Sequence, residues 1–429
     1  MRIAVIGGGA SGLIAAIAAR EKKADVTIFE KNDRVGKKLL MTGNGKCNLS
    51  NRDFRTDYYR STGEQDLRMF FDAFGVEETV AFFEQLGMLV KNKNGYLYPA
   101  SEQAGTVSDI LRFACMRSGV DIKTMAEVKK ITKNAETFVV EVREENASEE
   151  KEKAEKGSVR KEKYCFDRVI LACGSKAGPK NITSGSGYLL AKSFGHHVTE
   201  LVPALVQLRC AGDFFKQIAG VRTECELTMC VDGTEKQKER GELQLTDYGI
   251  SGIPVFQFSR YAAEALKKGK QVQVFLNFLP GFSDDEYTEF IHNRFKRQKD
   301  QTAEQFFLGI TNKKIIGLFL KQSGLKPEEK IEEANRKKWE KVFILLRRFV
   351  VEIKEPNPFE NAQVCAGGVC LEEISGQMES KIVSGLYLAG ELLDVDGRCG
   401  GYNLQWAWTS GYLAGHFAAG KQGKKQIME

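Results

Sequence analysis

The sequence predicts an α/β fold in which a Rossmann-like nucleotide-binding domain is interrupted by an inserted domain. A strand, a glycine-rich turn, a helix and a second strand follow one another within residues 1–30. Two apolar strands, Arg168–Ala172 and Gly385–Glu391, run into sharp turns, as strands do when they return to one parallel sheet. Because the stretch between them has a different texture, the nucleotide-binding domain is predicted to be discontinuous.

The N-terminal segment has the element order of a βαβ unit that binds a dinucleotide. Arg2–Ile6 predicts a buried strand, a helix is expected from Ser11 to about Glu21, and Asp25–Phe29 is the next strand. The helix would direct its unpaired N–H groups at phosphate. Glu30 follows the second strand and is expected to accept hydrogen bonds from ribose hydroxyls.

The turn of this unit, Gly7–Gly12, has the spacing that a pyrophosphate requires. Gly7 is expected to make the tight turn, Gly9 to let the backbone approach phosphate, and Gly12 to let the helix pack on the strand. A short signal peptide is the alternative, but three consecutive glycines interrupt the apolar run. We therefore expect a cytoplasmic protein.

Composition excludes several classes of protein. With 42% hydrophobic residues the chain can bury a large core, and no uninterrupted apolar run approaches the length of a membrane span. The ten cysteines occur without C-x-x-C pairs, so reduced thiols and no metal site are expected. The net charge is +6, although residues 294–348 contain 15 Lys and Arg against 7 Asp and Glu. A solvated helical face is the expected explanation, rather than a nucleic-acid surface.

The chain is predicted to have three parts. The discontinuous nucleotide-binding domain spans residues 1–196 and 354–429, a β-barrel-like domain spans 197–282, and a helical subdomain spans 283–353. In the helical part, one buried helix face is predicted from apolar residues at intervals of three and four: Trp339, Val342, Phe343, Leu346 and Phe349.

Residues 120–122, 139–142 and 164–172 alternate like the strands of a small antiparallel sheet. Between the last two, Glu144–Lys163 is almost wholly charged and polar and has no apolar anchor. We expect this segment to be an exposed, mobile hairpin loop that the fold does not need.

Two further motifs change a generic dinucleotide site into a flavin site. In Thr42–Asn48, two glycines would let the backbone lie against a planar ring, and Asn44 and Asn48 offer donors and acceptors. Lys46 can neutralise phosphate. The second motif, Leu393–Ala407, ends by opening a helix whose N terminus can face the pyrimidine edge of the ring. Its partial positive charge would stabilise the negative charge that develops there on reduction.

With these motifs the chain resembles the bacterial family of FAD-containing oxidoreductases that have a glutathione-reductase-like nucleotide domain and an inserted domain of barrel and helices. The resemblance runs end to end, and it implies bound FAD and redox chemistry. One branch of the family oxidises aminoacetone, and another has been linked to the reduction of steroid or bile-acid enones. The segments that carry the resemblance are Gly7–Gly12, Thr42–Asn51, Gly241–Gly252, Ala366–Val369 and Ala389–Ala407.

The residues expected to bind FAD lie in these motifs and at the strand ends. Glu391 stands where related flavoproteins place an acid on the ribityl chain. Asn44, Cys47 and Asn403 are the candidate catalytic residues. The full set of expected cofactor-binding residues is Gly7, Gly9, Ala10, Ser11, Gly12, Glu30, Lys31, Thr42, Gly43, Asn44, Gly45, Lys46, Cys47, Asn48, Val128, Ala172, Gly174, Gly390, Glu391, Gly400, Gly401, Tyr402, Asn403 and Leu404.

The predicted function is a FAD-dependent oxidoreductase that transfers hydride between a small organic substrate and flavin N5. The sequence has no second strand–glycine–helix unit for a nicotinamide domain, which favours an oxidase using O₂, such as an amine or aminoketone oxidase. NAD(P)H can still stack over the flavin as electron donor, so an NAD(P)H-dependent reductase of enones or ketones is the alternative. An RNA-associated flavoprotein is a third alternative, and the oligomeric state is left open.

The sequence departs from the family pattern at two positions. One is Ile253, which stands directly after Ser251-Gly252 where family members often have a proline; the other is Asp247. Family members often carry a histidine where Asp247 stands, so a catalytic role for Asp247 is weighed against a purely structural one, in which Ser251 caps a helix beginning near Ile253. Cys47 and Cys399 both occupy flavin-adjacent motifs. A redox disulfide is one interpretation, and two small buried residues against the ring are the favoured one.

Overall fold

The structure is a computed structural model that describes residues 1–145, 159–299 and 301–420. In chain order, the strands are β1 (Arg2–Ile6), β2 (Asp25–Phe29), β3 (Ser50–Asn51), β4 (Tyr59–Arg60), β5 (Val90–Lys93), β6 (Tyr96–Pro99), β7 (Asp121–Lys123), β8 (Ala126–Asn134), β9 (Thr137–Glu145), β10 (Val159–Phe166), β11 (Arg168–Leu171), β12 (Val202–Ala204), β13 (Leu208–Cys210), β14 (Arg222–Val231), β15 (Thr234–Leu245), β16 (Gly249–Ser251), β17 (Val272–Asn277), β18 (Phe349–Pro356), β19 (Val364–Ala366), β20 (Leu386–Leu388) and β21 (Asp396–Gly397). The α-helices are α1 (Ala10–Glu21), α2 (Arg68–Ala73), α3 (Val76–Gln85), α4 (Ala104–Arg117), α5 (Ser186–Ser193), α6 (Phe215–Ile218), α7 (Ile253–Lys267), α8 (Asp284–Gln298), α9 (Ala303–Phe307), α10 (Lys313–Ser323), α11 (Arg336–Arg347) and α12 (Tyr402–Ala418).

The chain forms two compact units. The first unit comprises Met1–Leu201 with Gln363–Glu429, and the second comprises Val202–Ala362. The sequence predicts the corresponding boundaries after residues 196 and 353. No helix in the described part of the chain is long and apolar enough to cross a membrane.

The first unit is built on a five-stranded parallel sheet with the order β20-β11-β1-β2-β7. Its strands are short and strongly apolar because they are covered on both faces, and Ile3, Val5, Ile28 and Leu388 are fully buried. The predicted return of β11 and β20 to the N-terminal sheet is confirmed. The first and last parts of the sequence therefore build one sheet.

The predicted antiparallel sheet was wrong in its membership. Residues 121–123 form β7, which pairs in parallel with β2, and the antiparallel sheet consists of β8, β9 and β10. Strand β8 was not predicted, because a register irregularity between Val128 and Lys130 interrupts its alternation of apolar and polar residues.

The segment Glu144–Lys163, predicted as a loop, is in part regular structure. Its ends belong to β9 and β10, where Glu144 pairs with Arg160, and residues 146–158 lie outside the described residues. Cross-strand partners compensate for the missing apolar anchor: Lys163 forms an ion pair with Glu141 at 3.1 Å, and the Tyr164 hydroxyl donates to Glu144.

The second unit contains a closed antiparallel barrel with the strand order β13-β16-β15-β14-β17-β18. Along the chain, helices α8 to α11 lie between its strands β17 and β18. The predicted buried face of α11 is confirmed for Trp339, Val342, Phe343 and Leu346. Its extension to Phe349 was wrong, because α11 ends at Arg347 and Phe349 begins β18. β-Branched residues follow it and favour a strand.

Two helices of the first unit, α1 and α12, approach each other so closely that only glycine fits between them. A Cβ atom on Gly411 would lie 2.5 Å from the carbonyl oxygen of Ser11, and one on Gly415 would collide with the carbonyl of Ala15. Since both contacts advance in the same direction along the chain, the helices run parallel. The N termini of both helices face the same side, and the N terminus of α12 extends about 12 Å beyond that of α1.

Candidate cofactor site and active site

The predicted site residues all lie in the first unit, where they form two regions. The glycine-turn region surrounds the end of β1 and the start of α1: Gly7, Gly9, Ala10, Ser11, Gly12, Glu30, Lys31, Val128, Ala172, Gly174, Gly390 and Glu391. The double-loop region consists of the loop after the short 3-10 turn at Leu39 and the segment that opens α12: Thr42, Gly43, Asn44, Gly45, Lys46, Cys47, Asn48, Gly400, Gly401, Tyr402, Asn403 and Leu404.

The three glycines of the turn have three different surroundings. Gly7 has φ +105°, and a Cβ atom there would collide with the carbonyl of Ala172. A Cβ atom on Gly12 would collide with the carbonyl of Gly7, so the helix packs directly on the turn. At Gly9, by contrast, no atom lies within 4 Å of the Cβ position. This open cradle at a helix N terminus fits a pyrophosphate.

Glu30 is buried beside the turn, where backbone and side-chain donors hold its carboxylate. One oxygen accepts from the Gly8 N–H at 2.8 Å, and the other accepts from the backbone and side-chain N–H groups of Asn32 at 2.8 and 2.6 Å. The oxygen that accepts from Gly8 keeps a further lone pair for a ribose hydroxyl, whereas the other oxygen already accepts two hydrogen bonds. Sequence reasoning missed Asn32, although its position two residues after the acid is typical of a local side-chain turn.

Other predicted residues of the glycine-turn region lie at the neighbouring strand ends. Ala172 is buried against Gly7 and Gly12, and Gly174 follows in a left-handed conformation with φ +65°. Val128 is buried on β8, whose first N–H donates to the carbonyl of Glu30. Burial lowers the pKa of Lys31, and the neighbouring Glu30 carboxylate opposes this shift.

Gly390 and Glu391 bring the C-terminal segment to the start of α1. A Cβ atom on Gly390 would collide with the Ser11 hydroxyl, and the Gly390 N–H donates to Ser410 at 2.9 Å. The Glu391 carboxylate forms an ion pair with Lys38 at 2.6 Å and accepts from the Cys365 N–H at 3.0 Å. Lys38 was missed because it lies in a charged segment without a motif.

The loop of the double-loop region has an unusual backbone. Gly43, Asn44 and Cys47 have φ values between +54° and +57°. The Thr42 carbonyl accepts from the Cys47 N–H and the Gly43 carbonyl from the Lys46 N–H, both at 3.1 Å. For a residue such as cysteine this conformation is unfavourable, and such strain concentrates at ligand sites.

Cys47 is fully buried, and its burial raises the pKa of the thiol to about 12, although Thr42 opposes the shift. Burial also raises the pKa of Cys399. All ten cysteines are free, so neither thiol is in a disulfide. A protonated, buried thiol is a weak nucleophile, and this supports the interpretation of Cys47 as a packing residue.

Asn48 has a buried side-chain oxygen, Oδ1, without a hydrogen-bond partner in the described part of the chain. This oxygen lies 2.9 Å from the Cβ position of Gly401, so it lies where the loop meets the start of α12. A buried acceptor without a partner is costly unless a ligand supplies a donor. The ring N–H of a flavin is such a donor, so the residues present fit FAD.

Asn403 and Tyr402 are committed to neighbouring backbone groups. The Asn403 side chain accepts from the Gly397 N–H at 2.8 Å and donates to the carbonyls of Gly397 and Arg398 at 2.9 and 3.3 Å. The Tyr402 hydroxyl donates to the carbonyl of Asp53 at 2.8 Å. These contacts shape the segment before α12. They leave the first backbone N–H groups of helix α12 to face a ligand.

Lys46 is paired with a carboxylate. Lys91 and Lys46 both contact Glu102, at 3.0 and 3.1 Å, and these two ammonium groups lower the pKa of Glu102 to about 2. The predicted role of Lys46 in neutralising phosphate therefore competes with its ion pair to Glu102.

Asp247 lies in the second unit, exposed in the turn between β15 and β16. Gly252, and not the predicted Ser251, is the residue that directly precedes α7.

Sequence reasoning also missed two tyrosines of β6 that face the double-loop region. A ring carbon of Tyr98 lies 4.0 Å from the Cβ position of Gly43, and a ring carbon of Tyr96 lies 3.2 Å from that of Gly400. The alternation in Y-L-Y-P would have placed both rings on one face of a strand. Nothing local in that pattern indicates which loops the rings meet.

Known proteins resemble this chain along its whole length. A family model described as HI0933-like protein Rossmann domain matches residues 1–417. The chain is 40% identical over 421 residues to 3-dehydro-bile acid delta(4,6)-reductase of Clostridium scindens, covering 97% of this chain and 99% of that protein. It is 27% identical over 417 residues to ribosomal RNA dihydrouridine synthase of Haemophilus influenzae, covering 95% and 96%.

A solved structure shows a similar fold. The 3-ketosteroid delta1-dehydrogenase of Sterolibacterium denitrificans matches with a TM-score of 0.52 and 12% identity, covering 98% of this chain and 99% of that one. At that identity the likeness concerns the fold alone.

Proposed function

Because the chain belongs to the HI0933-like Rossmann family and is a FAD-dependent oxidoreductase, we propose that it reduces a carbon–carbon double bond conjugated to a carbonyl group in a small organic substrate. The 40% identity to a bile-acid delta(4,6)-reductase over nearly the whole chain carries this proposal. The sequence alone favours an oxidase, and this similarity shifts the proposal to the reductive alternative.

The names of the two relatives describe one type of bond change. A delta(4,6)-reductase acting on a 3-dehydro acid saturates carbon–carbon bonds conjugated to a ketone. A dihydrouridine synthase saturates the uracil double bond that is conjugated to a ring carbonyl. Addition of a hydride to the carbon β to a carbonyl would serve both bond changes, which supports the same chemistry for this chain.

The residues of the first unit support such a reaction through binding and electrostatics. When bound, FAD supplies the hydride. The open cradle at Gly9 and the carboxylate of Glu30 would hold the adenosine diphosphate part of FAD. Glu391 would hold the ribityl chain. The N terminus of α12 would stabilise negative charge at the ring edge, and the buried surroundings of Cys47 and Asn48 would exclude water.

A reductase needs an electron donor, for which we propose NADH or NADPH. The parallel sheet of the first unit carries a glycine-turn motif at the end of β1 and, in the described part of the chain, no second one. A nicotinamide would therefore have to approach the flavin ring directly, without a nucleotide domain of its own.

Reduction of uridine in RNA is a second candidate function, favoured by the similarity to the dihydrouridine synthase and by the basic stretch 294–348. The structure weakens the second argument. Most aromatic residues of that stretch, namely Phe306, Phe307, Phe319, Trp339 and Phe343, are buried in the hydrophobic cluster of the second unit and are not available to stack on bases.

Anaerobic half-reactions test the proposal and its alternatives. Purified holoprotein is reduced with NADH or NADPH without O₂ and mixed with androst-4-ene-3,17-dione or with a uridine-containing RNA. In a separate arm, oxidised holoprotein is mixed with aminoacetone, and O₂ is admitted afterwards. We expect flavin reoxidation by the enone. Hydrogen peroxide from aminoacetone without any enone reaction would favour an oxidase. Reaction with RNA alone, falling steeply with salt, would favour the second candidate.

A further inference from the structure

We propose that Tyr98 donates the proton that completes the double-bond reduction, an inference that rests on the proposed function. A conjugate reduction needs an acid beside the flavin ring, because hydride addition alone leaves an enolate. The described histidines lie outside the double-loop region, so the acid must come from another residue type.

Strand β6 presents Tyr98 to the double-loop region. Leu97 pairs with Ser50 of β3, and Leu97 and Pro99 are buried on one face of the strand, so Tyr96 and Tyr98 lie on the other. A ring carbon of Tyr98 lies 4.0 Å from the Cβ position of Gly43 in the loop, and one of Tyr96 lies 3.2 Å from that of Gly400 in the segment before α12. The tyrosine face of β6 therefore spans the two parts of the double-loop region.

The Tyr98 hydroxyl is available, whereas the neighbouring protic groups are committed. It has no hydrogen-bond partner within the described ranges. The hydroxyls of Tyr58 and Tyr402 donate to the side chain and to the carbonyl of Asp53, at 3.0 and 2.8 Å. The Lys46 ammonium is paired with a carboxylate, and the Cys47 thiol is fully buried.

The surroundings of Tyr98 also keep its proton in place. The side chain is half-buried, and burial raises its pKa above the ordinary range of a phenol. The group is therefore protonated at neutral pH and can act as a neutral acid toward an enolate. Tyr96, which is 39% exposed, is closer to bulk water.

The step balances as follows. Hydride from reduced FAD forms a C–H bond at the β carbon, and the π electrons of the double bond move to the α carbon and carbonyl as an enolate. The O–H bond of Tyr98 breaks, its proton forms the C–H bond at the α carbon, and the phenolate then takes a proton from water. The two electrons come from the nicotinamide that reduced the FAD.

The test compares Tyr98→Phe with Tyr412→Phe in the holoprotein. Tyr412 is a matched control because it is also partly buried, its hydroxyl has no partner in the part of the chain that the structure describes, and burial also raises its pKa. It stacks on Phe74 at 4.2 Å, within the helical core. Both variants keep the ring and remove one hydroxyl.

Each holoprotein is reduced with dithionite and mixed with ferricyanide or with androst-4-ene-3,17-dione. We expect Tyr98→Phe to react with ferricyanide as the wild type does, because that oxidant takes electrons only, and with the enone at least ~100-fold more slowly. In D₂O, the wild-type product should carry deuterium on one face of the α carbon. The slow product of Tyr98→Phe should carry it on both faces, since water then supplies the proton.

Wild-type enone rates with single-face deuteration in Tyr98→Phe would overturn the assignment, and so would a loss confined to Tyr96→Phe. Wild-type holoprotein that reduces no enone would overturn the proposed function, and the assignment with it. If Tyr98→Phe retains no FAD, the assignment is tested by introducing 3-fluorotyrosine at position 98. It should shift the alkaline limb of the enone rate to lower pH, and an unshifted limb would overturn the assignment.

Discussion

The glycine-turn region and the double-loop region are built in different ways. In the first, a short stretch of backbone with fixed geometry makes the cradle, and Gly12 is required because the carbonyl of Gly7 leaves no room for a Cβ. In the second, segments more than 300 residues apart meet, and side chains such as Asn403 bind backbone groups. A local backbone constraint is readable in a sequence, whereas a long-range assembly is not.

The largest effect is expected at Gly9. Gly9→Val should lower FAD affinity by at least ~100-fold, because the side chain would fill the open cradle, while the apoprotein keeps its melting temperature. Flavin release and thermal denaturation measure the two quantities. Gly105→Val is the control, since its Cβ position is equally open but lies on α4. Equal FAD binding in both variants would remove Gly9 from the cradle.

In the double-loop region, Asn403→Asp should lower the midpoint potential of the bound FAD by on the order of 30 mV, which is about 1.4 kcal/mol for two electrons. The added charge lies at the start of α12 and opposes the anionic reduced ring. FAD should stay bound through the glycine-turn region.

Dye equilibration measures this potential, with Gln377→Glu as a control that adds the same charge at an exposed position of the first unit. An equal or higher potential in Asn403→Asp would limit Asn403 to shaping the segment at Gly397.

A pH series tests whether Cys47 is a buried neutral thiol. In the unfolded chain the Cys47 thiol ionises near pH 9, whereas in the folded protein its pKa is raised to about 12. The stability that the protonated thiol contributes is therefore fully present below pH 9 and is lost as the pH rises from 9 to 12. Between pH 8 and 10, the wild type should lose about 1.4 kcal/mol more of its unfolding free energy than Cys47→Ala does. Urea denaturation at both pH values measures the difference. Parallel losses would mean that the Cys47 thiol ionises in the folded protein with the same pKa as in the unfolded chain.

The smallest effect is expected for deletion of residues 147–157, which belong to neither region and lie outside the described residues. A shorter connection between β9 and β10 changes closure entropy by about 1 kcal/mol or less. FAD content and melting temperature should match those of the full chain. A fall of many degrees would show that the segment packs against the first unit.

The sequence predicted the glycine-turn region well because its information is local. Strand β1, the turn, helix α1, strand β2 and Glu30 follow in order, and each step has a short-range signature. The close packing of Gly411 and Gly415 was also predictable from their spacing. The sequence did not indicate Asn32 and Lys38, the partners of Glu30 and Glu391, because side-chain pairing depends on how loops fold.

The sequence predicted which residues form the double-loop region, and it did not predict which contacts those residues make. Asn403 was expected at the ring edge, and the structure shows its amide bound to the backbone at Gly397, a contact that the sequence did not indicate. Lys46 was expected at phosphate, and it pairs with Glu102. Tyr98 was missed altogether, since β6 reaches the loop only through its pairing with β3.

The most direct test of the central claim is the product balance of the reduced holoprotein. FAD-loaded protein is reduced anaerobically with a limiting amount of NADH or NADPH and mixed with androst-4-ene-3,17-dione, and the steroid is analysed by mass spectrometry. We expect one steroid molecule, heavier by two hydrogen atoms, for each molecule of reduced FAD that is reoxidised. Unchanged steroid, with the flavin reoxidised only when O₂ is admitted, would contradict it.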